Sequence, residues 1–287
     1  MADAYRNRFT TAAEQTDRLD RLMRDIELTA KSGATESCLV TALVPNRSGH
    51  APIDVDALRN AAGVVAMADF PRFIDTTFDL ATSTAARVGH RHIAVGFGGK
   101  PSEPLARHGA IVHLYTDGSG AIVQWIGDEA RSQTNDPMGY DRILDARLTQ
   151  ELVAAFAALG QFATGTASTA GDAVVASTVF SRRGARLATG SQASFNDDYT
   201  NDAPLQAIAQ SRHTLSLDDL AGGGPSLLAA AAQVGLDLFQ SFGCIECPQL
   251  SVEGEVRWRH WHTSKDRMVA AAGKYGIDVI DDSIMLR

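Results

Sequence analysis

The sequence contains few of the residues that crosslink or rigidify a chain. It has three cysteines and nine prolines in 287 residues. Three thiols cannot all pair within one chain, and so low a count excludes a small disulfide-stabilised secreted scaffold. No apolar run is long enough to cross a bilayer, and the first residues carry no apolar block of the secretory type. We therefore expect a cytoplasmic protein that makes no contact with a membrane.

Positive charge is also scarce. The chain has 26 Lys and Arg residues against 34 Asp and Glu residues, which gives a formal net charge of −8 at pH 7. This excess of acid disfavours general attraction to nucleic acid or to anionic membranes. Only four of the basic residues are lysines, and such an arginine bias in an alanine-rich chain is typical of a bacterial genome of high GC content.

The hydrophobic pattern predicts an α+β fold in which helices are mixed with antiparallel hairpins. The strongest hairpin signal joins residues 110–115 to 121–126 through a turn at 117–120. A second hairpin is expected to join 173–180 to 185–189. Other apolar stripes and runs predict a strand through Cys38, a strand over 92–97, and helices over 11–31, 54–62, 69–89, 145–162, 204–210 and 264–275, with one more after the glycines at 222–224.

One stretch of small and polar residues divides the chain. Residues 163–171 read Ala-Thr-Gly-Thr-Ala-Ser-Thr-Ala-Gly, a composition typical of a linker. We therefore expect two packed subdomains, an N-terminal one over 1–165 and a C-terminal one over 172–287.

Common catalytic signatures are missing. The chain has neither the Gly-x-Ser-x-Gly nor the His-Glu-x-x-His pattern. The loop Gly96-Phe97-Gly98-Gly99-Lys100 lacks the spacing of a phosphate-binding loop and no predicted helix follows it. Catalytic residues therefore stay unknown, although an enzyme could draw on dispersed histidines at positions 90, 92, 108 and 113.

Two cysteines and two histidines near the C-terminus have the residue types of a zinc site. Twelve residues separate Cys247, the second cysteine of a Cys244-x-x-Cys247 pair, from His260, and His262 follows two positions later. If residues 253–254 form the turn of a hairpin, Cys247 faces His260, and His262 lies on the same face of the strand. The prediction is a structural zinc held by four ligands, and zinc is the one cofactor that the sequence suggests. The alternative is a pair of packed thiols beside an exposed strand.

The same segment supports a different binding hypothesis. A local basic cluster surrounds an aromatic residue, as in surfaces that stack bases and neutralise phosphates. Its members are Arg257, Arg259, Trp261, Lys265 and Arg267. The alternative is an ordinary amphipathic strand with solvated arginines, which the net charge of the chain favours.

Three functional classes follow from these observations. The missing catalytic motifs, the acidic surface and the several amphipathic helices favour a non-catalytic interaction or assembly protein, of the adaptor or chaperone-like kind. Its partner would be another protein or a second copy of the chain. A nucleic-acid-associated module and an enzyme with dispersed residues are the alternatives.

Overall fold

The computed structural model describes most of the chain, namely residues 2–33, 37–52, 84–103, 105, 108–127, 141–181, 184–188 and 209–281. Within these ranges there are five α-helices and a large antiparallel sheet, which confirms the α+β class. The helices are α1 (Ala2–Gly33), α2 (Asp145–Gln161), α3 (Leu217–Gly222), α4 (Gly224–Gln240) and α5 (Lys265–Lys274).

Eleven strands lie in the described residues. They are β1 (Cys38–Pro45), β2 (Thr84–Gly89), β3 (His92–Phe97), β4 (Ala110–Tyr115), β5 (Gly120–Trp125), β6 (Asp141–Leu144), β7 (Asp172–Phe180), β8 (Ala185–Ala188), β9 (Ala209–Ser216), β10 (Val256–Arg257) and β11 (Val279–Ile280). Seven of them form one sheet in the order β2-β3-β4-β5-β1-β7-β9, with antiparallel neighbours throughout. The pairs β6-β8 and β10-β11 form two small parallel ladders.

The sheet is the middle layer between helices. On one face, α1 packs across β1, β5 and β7 through the predicted apolar stripe, which consists of Leu19, Leu22, Met23 and Ile26. On the other face, α2 and α4 cover the sheet in a second apolar cluster that includes Leu39 and Leu43 of β1. All eight residues of β1 are buried, because helices cover both of its faces.

The predicted hairpin between β4 and β5 is confirmed. Tyr115 N donates to the carbonyl oxygen of Ser119, and Gly118 N donates to that of Tyr115. Gly118 has φ of 84°, a left-handed conformation that glycine adopts without steric cost. The Asp117 carboxylate accepts hydrogen bonds from the backbone and side chain of Ser119, which fixes the turn.

The second predicted hairpin is wrong, although both of its strands exist. β7 lies between β1 and β9 in the large sheet, and β8 pairs in parallel with β6. β7 pairs with two strands that are distant in sequence. This position between two strands removes more apolar surface from water than a local hairpin with β8 would.

Two predicted helices end in strands. For the helix predicted over 69–89, residues 69–83 lie outside the described residues. Residues 84–89 are described, and they form strand β2. The helix expected over 204–210 likewise lies outside the described residues up to position 208, and its last two residues begin β9. Another expected helix, over 54–62, also lies outside the described residues.

The segment 163–171 is packed against the body of the protein. α2 continues into a π-helix over Phe162–Thr166, and Ala163 and Ala167 are fully buried. Strands from both predicted subdomains lie in the same sheet on either side of this segment. The division at this position stays a prediction, which proteolysis tests below.

A search of the described residues for membrane-crossing helices finds none with the necessary length and apolar character.

Candidate functional site

The hairpin that would bring the Cys/His set together is shorter than predicted. Leu250 bridges to Val256, and Arg257 N donates to Gln249 O at 3.0 Å, which is one residue out of the expected register. After Arg257 the chain enters a 3₁₀-helix over Trp258–Ser264. The predicted strand through His260 and His262 is therefore wrong.

Burial of Trp261 accounts for the 3₁₀-helix in place of the predicted strand. Its indole is 1% exposed and packs in the large apolar cluster, and its Nε1 donates to Gln249 O at 3.2 Å. Burying an indole is worth more than extending a short ladder by two residues.

The two cysteines lie in the protein interior. Cys244 and Cys247 are both buried and belong to the same apolar cluster. The Cys247 Sγ lies 3.8 Å from Thr149 Oγ1 of α2, and burial raises the pKa of Cys247 to about 11. A thiol with so high a pKa is protonated at neutral pH, whereas zinc binds thiolate.

A metal centre is not evident among the residues that the structure describes. No group of three or more His, Cys, Asp or Glu side chains is placed there to hold an ion. The side chain of His262 lies outside the described residues, so the four-ligand zinc site stays a prediction.

Three of the five side chains in the basic cluster of the nucleic-acid hypothesis are described, and two of these three are buried. Trp261 faces the core, and Arg257 is buried, where it pairs with Glu246 at 2.8 Å and donates to Cys247 O. Arg259 is exposed but forms an ion pair with Asp281. The side chains of Lys265 and Arg267 lie outside the described residues. The aromatic ring expected to stack a base is therefore inaccessible.

Two of the four histidines named from the sequence do meet, on the α1 side of the sheet. Register places Gly89, His92 and Tyr115 opposite one another across β2, β3 and β4. The His92 ring lies over Gly89, since a Cβ there would be 2.0 Å from His92 Cε1. The His92 ring centroid lies 5.1 Å from that of Tyr115 and 5.5 Å from that of His113.

A second row of residues runs beside the first. Arg87, Ala94 and His113 face one another across the same three strands. Residues directly opposite on neighbouring strands point to the same face of a sheet. Arg87 thus lies on the ring-bearing face, with the small side chain of Ala94 between it and His113.

Two arginines of this region are exposed to solvent. Arg87 is exposed, and Arg91 is exposed in the two-residue turn between β2 and β3, where its φ is 59°. Neither forms an ion pair with any residue that the structure describes. We call the patch formed by Arg87, Arg91, His92, His113 and Tyr115 the ring surface.

The surroundings of His113 within the ring surface keep its imidazole neutral. Burial, helped by the positive potential of His92 and Arg87, lowers the pKa of His113 to about 4. Burial also raises the pKa of Tyr115. At neutral pH the positive charge of the surface therefore comes from the arginines and not from His113.

Helix α1 borders the ring surface. The guanidinium of Arg18 lies 4.5 Å from the centroid of the Tyr115 ring and pairs with Asp117 at 3.2 Å. Beside it is a cavity of about 150 Å³ between α1 and the β4–β5 turn, lined among others by Glu14, Asn46 and Asp117.

The other two histidines contribute differently. His90 is exposed in the β2–β3 turn, and its carbonyl lies 3.2 Å from His92 Nδ1. His108 packs on the indole of Trp125 with ring centroids 4.3 Å apart. Neither joins the ring surface as an aromatic contact.

A buried charge that the sequence analysis missed lies between α2 and β5. Glu151 is fully buried, pairs with Arg147 at 2.8 Å, and accepts a hydrogen bond from Gln124 Nε2 at 2.5 Å. A spacing of four residues, as between Arg147 and Glu151, is typical of surface ion pairs in helices, so it does not indicate that this pair is internal.

No protein-family model, curated protein or solved structure matches the chain. Its function has to be argued from the side chains alone.

Proposed function

We propose that the protein is a non-catalytic interaction protein that binds another protein through the ring surface. The observation that carries this proposal is the combination of exposed Arg87 with partly buried aromatic and imidazole rings on one sheet face, beside exposed Arg91 in the adjoining turn; neither arginine has an ion pair with a described residue. Arginine is enriched among the residues that contribute most to the free energy of protein–protein binding, because it adds contact area and hydrogen bonds together.

The arrangement of the best catalytic candidate supports binding over turnover. His213 Nε2 lies 2.8 Å from Asp237 Oδ2, as in a catalytic triad. The hydroxyl of Ser211, however, donates to the same carboxylate oxygen and not to the imidazole. A serine nucleophile needs its hydroxyl on the histidine, so this cluster has the wrong order for acyl transfer. His213 Nδ1 is also engaged, by Gln233 at 3.1 Å.

The partner is another protein or a second copy of this chain. Site-specific photocrosslinking distinguishes these two and tests the proposal. A photoreactive amino acid replaces Arg87 in one variant and Arg24 in the other, because Arg24 is exposed on α1 and donates to the carbonyl oxygen of Asp20 in the same helix.

We expect a discrete covalent adduct from position 87 in cells of the source organism and none from position 24. An adduct of twice the chain mass identifies a second copy as the partner. Equal adducts from both positions, or turnover of a nucleotide, ester or peptide that one substitution abolishes, would contradict the proposal.

A further inference from the structure

We infer that the ring surface receives an acidic, extended segment of a protein partner, which lies along β2 as an added strand. This inference rests on the proposed function and specifies the chemistry of the partner. It is argued from the position of β2, from its exposed side chains and from the charge of the patch.

Among the strands that the structure describes, only β3 pairs with β2, on one side of its backbone. In the described sheet β2 is an end strand, paired with β3 on one side. An end strand presents outward N–H and C=O groups, and peptides commonly bind by pairing with them. None of the six residues of β2 is buried, whereas β1 is buried along its whole length.

The side chains of β2 define what such a segment should carry. Arg87 lies on the ring-bearing face, and Val88 lies on the other face and is 46% exposed. An added strand places alternate side chains on the two faces. Acidic side chains on one face would meet Arg87, and apolar side chains on the other would cover Val88.

Charge makes this patch selective for acid. The chain as a whole carries a formal charge of −8, so an acidic segment is repelled elsewhere. Arg87 and Arg91 lie at the end of the sheet without ion pairs to described residues. Complementary charge of this kind orients a partner and raises its rate of association.

The ring geometry favours a peptide over single-stranded nucleic acid. Base stacking needs an open ring face. The Tyr115 ring has the Arg18 guanidinium 4.5 Å from its centroid and the His92 ring 5.1 Å from it. The His92 ring lies over Gly89. The rings therefore contact one another and α1, and the arginines are the groups left to bind a partner.

Fluorescence anisotropy with defined probes tests the inference. The probes are a labelled peptide of alternating Glu and Val, a labelled peptide of alternating Lys and Val, and a labelled oligothymidylate. Each is titrated with wild-type protein, with Arg87→Glu and with the matched control Arg24→Glu. Because Arg87 and Arg24 are exposed, both variants should fold, which circular dichroism verifies.

We expect the Glu/Val peptide to bind the wild-type protein, to bind Arg87→Glu about tenfold more weakly, and to bind Arg24→Glu as it binds wild type. The Lys/Val peptide should not bind. Absence of Glu/Val binding, or binding that Arg87→Glu leaves unchanged, would overturn the inference.

Tight binding of the oligothymidylate that Arg87→Glu abolishes would also overturn it, in favour of nucleic acid. A positive crosslink from position 87 together with no binding of the Glu/Val peptide would leave the proposed function standing and reject the acidic segment alone.

Discussion

The interior of the seven-stranded sheet and its β2 edge are built from different kinds of strand. Around β1, in the interior, helices cover both faces, and the strand is apolar and buried along its length. At the β2 edge the strand is exposed, and its neighbours β3 and β4 place rings beside Arg87 on the α1 side. The comparison separates residues that hold the fold together from residues that are available to a partner.

The largest expected effect tests whether stability resides in the helix-covered interior of the sheet. Phe156 of α2 is fully buried in the large apolar cluster. Phe156→Ala should lower the free energy of unfolding by ~3–5 kcal/mol, because it removes buried apolar area and leaves a cavity. The control Arg87→Ala should change it by less than ~0.5 kcal/mol. Urea unfolding measures both, and equal losses would contradict the distinction between the interior and the β2 edge.

The next effect concerns the pH dependence of stability near the β2 edge of the sheet. The folded-state pKa of His113 is about 4, below its ordinary value of 6.5. As the pH falls from 6.5 towards 4, the His113 imidazole of the unfolded chain binds a proton, whereas that of the folded protein stays neutral. The stability contributed by neutral His113 is therefore complete above pH 6.5 and is lost as the pH approaches 4.

We expect this loss to be on the order of 2–3 kcal/mol. Urea unfolding of wild type and of His113→Gln at several pH values in this range measures this loss. It is the extra decrease in the free energy of unfolding that wild type shows as the pH falls. Parallel pH dependence in the two proteins would show that His113 is not protected from protonation.

A smaller effect is expected at the buried cysteines. Cys247→Ser places a hydroxyl where the thiol contacts Thr149, and the hydroxyl can hydrogen-bond there, so the loss should be about 1 kcal/mol. The zinc prediction is decided by elemental analysis of the same two proteins, purified without added metal. One zinc per chain, lost in Cys247→Ser, would confirm it. Zinc far below one per chain and unchanged by the substitution would leave two packed thiols.

The last test changes no residue. Limited proteolysis decides whether residues 163–171 separate two subdomains. Because Ala163 and Ala167 are buried and strands on both sides share one sheet, we expect this segment to be protected. Early cleavage there, giving two fragments that stay folded, would support the predicted boundary instead.

Sequence periodicity predicted the elements whose pattern is local. β1, the β4–β5 hairpin, α2, α4 and α5 all have a clear apolar run, turn or stripe. It failed for β9, whose residues Gln210, Arg212 and Thr214 alternate with a mixture of small, polar and apolar ones. It also failed for the pairing of β7, because strand partners far apart in sequence leave no mark in a local pattern.

The candidate site was accessible to sequence analysis only in part. His92 and His113 were named as histidines of interest, but their contact depends on the register between β3 and β4. Arg87 was assigned to a helix, where it would not have faced His113. For the Cys/His set, the reverse held: the spacing was suggestive, and burial of Trp261 bent the chain away from the expected strand.

The central position of β1 has a consequence for synthesis on the ribosome. β1 pairs with β5 on one side and with β7 on the other, and Cys38 lies opposite Phe180 in the second pair. The β7 side of β1 therefore stays unpaired until the chain has been synthesised as far as Phe180. Until then an apolar strand is available to other nascent chains, which is the usual starting point of aggregation. Chains that stop before β7 should therefore be insoluble, and we expect the intact protein to depend on chaperones while residues 46–180 emerge.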